Sequence, residues 1–308
     1  MKKPVSMKHL ILLVTGSFLL VVALLVFTFA PRHDDGTWLK TAYEKKLGKI
    51  ELVNAMRTNL LISAEAEKNS VMADTDEESR KFADQSIRAS AAVEEKRLEF
   101  MRLLGEEKAG SETEPFQNFS SCWEKLREVD REVLALAVQN TNLKALRLSF
   151  TPAREEIQRL ETALNQLMDS GASLPDAVQI TRLASRALVD AAKIYMLQAP
   201  HIAETSDRTM DKMEVEMKRL DDQVGQSLEK LRDLVDEAGI PSLNAARTAY
   251  DDFRGTNAQI IELSRQNSNI RSFAMSIGQK RKVAAQCLDY ITALDKAVKE
   301  SVTFRATR

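Results

Sequence analysis

Glycine, proline and aromatic residues are scarce in this chain of 308 residues, which contains 10 Gly, 7 Pro and 6% aromatic residues. Strands favour aromatic side chains, and the turns that join strands favour glycine and proline, so little material is present for sheets. Charged residues make up 29% of the chain, a proportion that suits long helices with one face in water. The composition therefore predicts an all-α fold.

An excess of charge of either sign is also absent, because 44 basic residues stand against 45 acidic residues and the net charge is −1. Nucleic-acid binding requires a basic field, so that class of partner is excluded. The two cysteines, Cys122 and Cys287, are too few for a disulfide scaffold. They fall at non-equivalent places in the two repeats described below, which favours two buried thiols over a bridge.

Only three histidines are present, His9, His33 and His201. A di-iron bundle needs Glu-x-x-His on two helices. The residues that stand three positions before these histidines are Ser6, Ala30 and Gln198. The sequence also lacks a haem-attachment motif and a glycine-rich phosphate loop. We therefore expect no metal, no cofactor and no enzymatic activity.

The segment Leu10–Ala30 covers 21 residues (30 − 10 + 1) without a charge and follows three lysines. As a helix it would extend about 31 Å, enough to cross a hydrocarbon core of about 30 Å. A cleaved secretory signal is the alternative, but Pro31 opposes cleavage after Ala30. We predict a cytoplasmic tail at 1–9, a single transmembrane helix at 10–30 in the bacterial inner membrane, and residues 31–308 on the extracytoplasmic side.

Prolines separate the amphipathic segments of the remaining chain, as expected for a residue that interrupts helices. Thr75 with Glu78 indicates a capping box, and Thr151-Pro152 indicates a helix start. The predicted helices lie near 38–73, 76–108, 115–150, 152–169, 175–199, 201–237, 241–277 and 279–303.

These eight helices form two copies of a set of four. Gln139-Asn140-Thr141-Asn142-Leu143-Lys144 returns 127 residues later as Gln266-Asn267-Ser268-Asn269-Ile270-Arg271. The same offset relates Trp123 to Tyr250, Arg127 to Arg254, Leu136 to Leu263 and Ser149 to Ser276. A set of four helices is about the smallest unit that closes its own apolar core. We therefore predict two tandem four-helix bundles, with repeats at 31–172 and 173–308.

Asn140 and Asn267 fall on the apolar seam of the third helix of each copy, where the spacing of three and four residues indicates an a position. One interpretation is a buried polar residue that fixes the register of helix pairing. The other is a ligand site between helices, in which Asn140 or Asn267 and Lys144 or Arg271, one turn later, bind a small polar or anionic molecule.

The stretches Leu136–Asn142 and Leu263–Asn269, together with the lysine-flanked apolar segment, resemble the extracytoplasmic four-helix-bundle sensor domains of methyl-accepting chemotaxis receptors. The duplicated form is similar to the helical bimodular sensors. The resemblance implies a dimeric receptor that detects small organic acids or amino acids at helix interfaces. Such receptors continue into a second membrane helix and a cytoplasmic signalling domain, whereas this sequence ends at Arg308.

Two classes of function remain open from sequence. One is a membrane-anchored sensor module of the chemotaxis type, which passes its signal through a partner or a separate output half. The other is a structural or adaptor rod of the cell envelope without a ligand. A sensor should have a pocket with convergent polar groups, whereas a spacer should have a dry seam and an exposed apolar face.

Overall fold

The computed structural model describes residues 35–106 and 110–301, and within them every regular element is helical, which confirms the all-α prediction. The first half contains α1 (Asp35–Met72), α2 (Asp76–Gly105), α3 (Thr113–Ala137), α4 (Thr141–Leu148) and α5 (Arg154–Ser170). The second half contains α6 (Ala177–Ala203), α7 (Asp207–Arg232), α8 (Ile240–Gln266), α9 (Ser268–Met275) and α10 (Arg281–Glu300). A π-helical turn joins α4 to α5 at Ser149–Ala153, and another joins α9 to α10 at Ser276–Lys280.

Local chemistry explains several of the helix ends. The Thr75 hydroxyl accepts a hydrogen bond from the Glu78 amide at 3.1 Å, which confirms the predicted cap at the start of α2. The prediction that Pro200 separates two helices is wrong, because Pro200 lies inside α6, which ends at Ala203. The ring of Pro200 crowds the preceding turn and removes one amide donor, but the helix continues for three more residues before it ends.

The helices pack as two four-helix bundles, and each bundle contains helices from both repeats. The first bundle consists of α1, α2, α3 and α10, and its core includes Met56, Phe100, Phe119 and Leu294. The second bundle consists of α5, α6, α7 and α8, with Ile180 and other aliphatic residues at its centre. Each bundle therefore takes three helices from one repeat and the last helix from the other.

The prediction that residues 31–172 and 173–308 each close a separate bundle is therefore wrong. The chain passes from the first bundle to the second through α3, α4 and α5, and returns through α8, α9 and α10. These two through-going segments cross where α4 contacts α9. As a result, α5 becomes the fourth helix of the second bundle, and α10 becomes the fourth helix of the first bundle. A repeat on its own would leave the apolar face of its last helix uncovered.

A disulfide joins Cys122 on α3 to Cys287 on α10, with the two Cα atoms 5.5 Å apart. The prediction of two buried thiols is wrong, because it assumed that the cysteines belonged to separate bundles. The exchange of last helices places α10 against α3 in the first bundle, and the two side chains meet. The bridge therefore links the two repeats covalently.

Among the described residues, none of the helices combines the length and apolarity needed to cross a membrane. The segment Leu10–Ala30, which was predicted to be a transmembrane helix, lies outside the described residues.

Candidate functional site

The two Asn-containing motifs meet where the through-going segments cross. We call residues 140–142 and 267–269 the joint. Asn140 and Asn267 have φ values of 50° and 54°, and they are the only non-glycine residues with positive φ in the described part of the chain. Asparagine tolerates this left-handed conformation better than most residues. The interruption covers residues 138–140 between α3 and α4, and Asn267 alone between α8 and α9.

The joint is held by reciprocal hydrogen bonds between the two motifs. The Thr141 amide donates to Ser268 Oγ at 3.0 Å, and the Ser268 amide donates to Thr141 Oγ1 at 3.0 Å. The Asn142 amide likewise donates to Asn269 Oδ1, and the Asn269 amide donates to Asn142 Oδ1. The two repeats are therefore related by a local twofold arrangement, and the bonds cap the first turns of α4 and α9.

The structure places the four predicted ligand residues at or beside this joint. The side-chain amides of Asn140 and Asn267 are committed within the protein, to Asp76 Oδ1 at 3.1 Å and to the carbonyl oxygen of Glu204 at 2.8 Å. Lys144 lies 3.2 Å from an Asp76 carboxylate oxygen, and Arg271 is exposed. None of the four lines a described cleft, and their ligand role stays a prediction.

The assignment of Asn140 and Asn267 to helical a positions is wrong, because neither residue is helical. Their left-handed backbone was not visible in the apolar spacing, which continues through the interruption. Leucine at Asn267 would therefore introduce backbone strain instead of completing a seam.

A buried charged cluster lies beside the π-helical turn that precedes α10. Lys280 Nζ is 2.7 Å from Glu67 Oε2 and 2.5 Å from Asp130 Oδ1, and all three side chains are buried. The corresponding place in the second bundle holds a neutral chain, in which Ser149 donates to Gln198 and Gln198 donates to Asn257. At equivalent positions in their cores, the first bundle therefore has an ionic cluster and the second bundle has neutral hydrogen-bonded side chains.

The second bundle has an open cleft of about 510 Å³ between α6, α7 and α8. Its polar floor consists of Tyr250, Asp221 and Arg254. The Tyr250 hydroxyl donates to Asp221 Oδ1 at 2.9 Å, and Arg254 Nε lies 2.9 Å from the same oxygen. Burial, together with the neighbouring Asp221 charge, raises the pKa of Tyr250, so its phenol stays protonated.

The remaining lining of this cleft combines apolar and polar side chains. These residues include Glu214, Met217, Lys218, Asp251, Phe253 and Asn257. Arg265 holds the pKa of Glu214 below its usual value, against the opposing effect of burial, so this carboxylate is ionised at neutral pH. The cleft therefore presents acidic, basic and amide groups next to an apolar wall.

The first bundle carries the same three-residue arrangement in a closed form. Trp123 Nε1 donates to Glu94 Oε2 at 2.9 Å, and Arg127 lies 3.7 Å from that oxygen. Arg97 adds two further hydrogen bonds to Glu94, at 3.0 Å and 2.7 Å. The residue 127 positions after Arg97 is the buried Val224, so Asp221 has no matching arginine. The cavity beside Trp123 is only about 10 Å³.

Sequence reasoning identified the pairs Trp123 with Tyr250 and Arg127 with Arg254 as repeat equivalents, but not as sites. Glu94 and Asp221 are separated by the same 127 positions. Three polar or aromatic residues that recur together at one offset would have indicated a shared feature. The structure shows that feature to be a hydrogen-bonded group on the wall of each bundle.

The described residues thus form two helical bundles, one of which has a polar cleft. The family described as "Four helix bundle sensory module for signal transduction" matches residues 7–185. This match covers more than half of the chain, which therefore belongs to that family. A comparison with curated proteins found no match.

Proposed function

We propose that this protein is a membrane-anchored extracytoplasmic sensor whose second bundle binds a small molecule in the cleft between α6, α7 and α8. The observation that carries the proposal is the difference between the two equivalent sites. Arg97 completes and closes the Glu94 group in the first bundle, whereas Asp221 faces an open cleft in the second. An aromatic and apolar wall with convergent polar groups is typical of small-molecule sites.

The charges of the cleft favour a zwitterion such as an amino acid. Arg254 and Lys218 supply cations to the cleft, while Asp221 and Asp251 supply carboxylates. A carboxylate of the ligand would approach the guanidinium, and an ammonium group would approach the aspartates. Organic acids are the second ligand class to be tested, since they would use Arg254 and Lys218 alone.

Isothermal titration calorimetry of the full chain in detergent, with a panel of amino acids and of mono- and dicarboxylates, tests the proposal. Arg254→Gln should abolish the heat of binding, and Arg127→Gln, the matched change in the closed site, should leave it unchanged. A ligand at 100 times its dissociation constant should also stabilise the protein by about 2.7 kcal/mol. Absence of binding across the panel, or equal affinity in both variants, would contradict the proposal.

The disulfide supports the extracytoplasmic placement. Bridges such as Cys122–Cys287 persist in oxidising compartments and are rare where glutathione keeps thiols reduced. The uncharged segment Leu10–Ala30 supports retention in the membrane. Fractionation of cells, combined with N-terminal sequencing of the mature chain, tests both statements. A soluble protein whose N-terminus begins at or beyond Pro31 would rule out the anchor.

An exposed apolar stripe on α1 supports a second copy of the chain as the signalling partner. Tyr43, Leu47, Leu61 and Met72 are exposed, and their intervals of 4, 14 and 11 residues are close to whole helical turns. They therefore share one face of α1. Replacing Leu47 and Leu61 by glutamate should convert a dimer to a monomer in analytical ultracentrifugation. A wild-type monomer, or an unchanged dimer in the variant, would refute this interface.

The same stripe is the feature that an envelope adaptor rod would use. Ligand binding separates the two functions, because the adaptor has no need of the cleft.

A further inference from the structure

Glu214 belongs both to the cleft and to a chain of hydrogen bonds that leads away from it. Glu214 Oε1 lies 2.9 Å from His201 Nε2 and accepts from Arg265 Nε at 2.6 Å. His201 is fully buried near the end of α6, and its Nδ1 lies 2.8 Å from Ser264 Oγ. The Ser264 hydroxyl also donates to the His201 carbonyl oxygen at 2.9 Å. One wall of the cleft is therefore attached to the last turn of α6.

The joint binds the same stretch of main chain. Asn142 Nδ2 donates to the carbonyl oxygen of Ile202 at 2.8 Å and to Asn267 Oδ1 at 2.8 Å. Asn267 Nδ2 donates to the carbonyl oxygen of Glu204 at 2.8 Å. Residues from both repeats thus hold the main chain immediately after His201, and a movement of His201 displaces the acceptors of both asparagines.

The chain of hydrogen bonds continues into the first bundle. Asn269 Nδ2 donates to Asn140 Oδ1 at 2.9 Å, and Asn140 Nδ2 donates to Asp76 Oδ1 at 3.1 Å. Asp76 begins α2. Burial raises the pKa of Asp76, but the hydrogen bonds of Lys144 and Asn140, together with the charges of Lys144 and Arg80, hold this pKa below its usual value. The carboxylate of Asp76 is therefore an ionised acceptor.

Within the described part of the first bundle, no equivalent connection leads away from the closed site. Near the end of α1 the corresponding polar contact is made by Ser70, whose hydroxyl donates to the Ser79 carbonyl oxygen at 2.8 Å. Ser79 in turn donates to the Ala137 carbonyl oxygen. The two hydroxyls also lie 3.3 Å apart, and none of the hydrogen bonds of these two serines involves Glu94. The connection runs from the second bundle to the first.

We propose that His201, Asn142 and Asn140 are positioning residues that couple the cleft to the start of α2 through the joint. The coupling itself is a property of the protein without ligand, and only its role in signalling rests on the proposed function. Buried hydrogen-bond networks polarise one another and respond as a unit. A change at Glu214 therefore alters the energy of the Asn140–Asp76 bond, although the two sites share no hydrogen-bond partner.

A double-mutant cycle on the full chain in detergent tests this coupling without any ligand. Glu214→Ala removes the acceptor of His201, and Asn140→Gly keeps a residue that tolerates positive φ while it removes the amide. The urea unfolding equilibrium constant of the double variant should differ by about tenfold or more from the value expected if the two single effects were independent. For distant independent sites this difference is within about twofold. Glu214→Gln, which keeps an oxygen acceptor, should restore most of the wild-type coupling.

The control cycle combines Glu214→Ala with Ser63→Ala. Ser63 forms a buried hydrogen bond with Ser86 inside the first bundle, at 3.0 Å, away from the joint. This cycle should be additive. Additivity in both cycles, or equal non-additivity in both, would overturn the proposal. Ligand binding with an additive Glu214–Asn140 cycle would leave the sensor function intact and refute only the coupling, while absence of a ligand would leave the cycle unaffected.

Discussion

Lys280 is the residue whose removal should destabilise the protein most by an electrostatic mechanism. It is the cation within 2.7 Å of both Glu67 and Asp130, and relative exposures of 4%, 0% and 6% leave these three groups little access to water. Lys280→Ala leaves two carboxylates buried without a cation. Breaking a buried ion pair in this way costs about 3–5 kcal/mol, which is a factor of roughly 100 or more in the unfolding equilibrium constant.

The second bundle supplies the compensating variant. Ala153 and Asn257 lie 127 positions from Lys280 and Asp130, and Gln198 stands five residues before the end of α6 as Glu67 stands five residues before the end of α1. The triple variant Lys280→Ala, Glu67→Gln, Asp130→Asn should therefore recover stability to within about 1 kcal/mol of wild type, because neutral amides satisfy each other without a cation.

Urea unfolding of the full chain, followed by circular dichroism, measures both changes. A single variant within about 1 kcal/mol of wild type would show that Lys280 does not compensate the carboxylates. A triple variant as unstable as the single variant would show that the loss comes from packing of the lysine stem rather than from charge.

Three further changes have clear expected outcomes. Asn267→Leu should be less stable than Asn267→Gly by about 1–2 kcal/mol, because only glycine keeps the left-handed backbone without strain; equal stability would contradict the role of φ. Reduction of Cys122–Cys287 should cost about 2–5 kcal/mol, seen as a lower Tm in calorimetry, and an unchanged Tm with two free thiols would refute it. Arg97, followed by the smaller effect of Trp123, holds the pKa of Glu94 below 4.5 although burial opposes them. The folded pKa lies below the unfolded one, so this stabilisation is present above pH 4.5 and is lost as the pH falls through the folded value. Glu94→Gln should therefore flatten the acid limb of the urea midpoint measured against pH, and an unchanged limb would exclude Glu94 as a cause.

The sequence by itself determined the helical class, the number of long helices and the duplication. Because glycine and proline are scarce, long amphipathic segments remain. Residues such as Trp123 and Tyr250 recur at one offset because they occupy equivalent packing positions in the two repeats. The cap at Thr75 was also readable, since it depends on residues three positions apart. These features are local, or periodic along the chain.

Only the tertiary structure decided which repeat completes which bundle. The apolar face of α5 or α10 fits a bundle of either repeat, and no local signal states which one it enters. The crossing of α4 and α9 settles the matter, and with it the contact between Cys122 and Cys287. The left-handed backbone of Asn140 and Asn267 depends on the same crossing, because Thr141 and Ser268 bind each other only when the two segments meet. The cleft at Asp221 is likewise open because the second bundle has no arginine in the place of Arg97. This difference becomes visible only when the two bundles are compared in three dimensions.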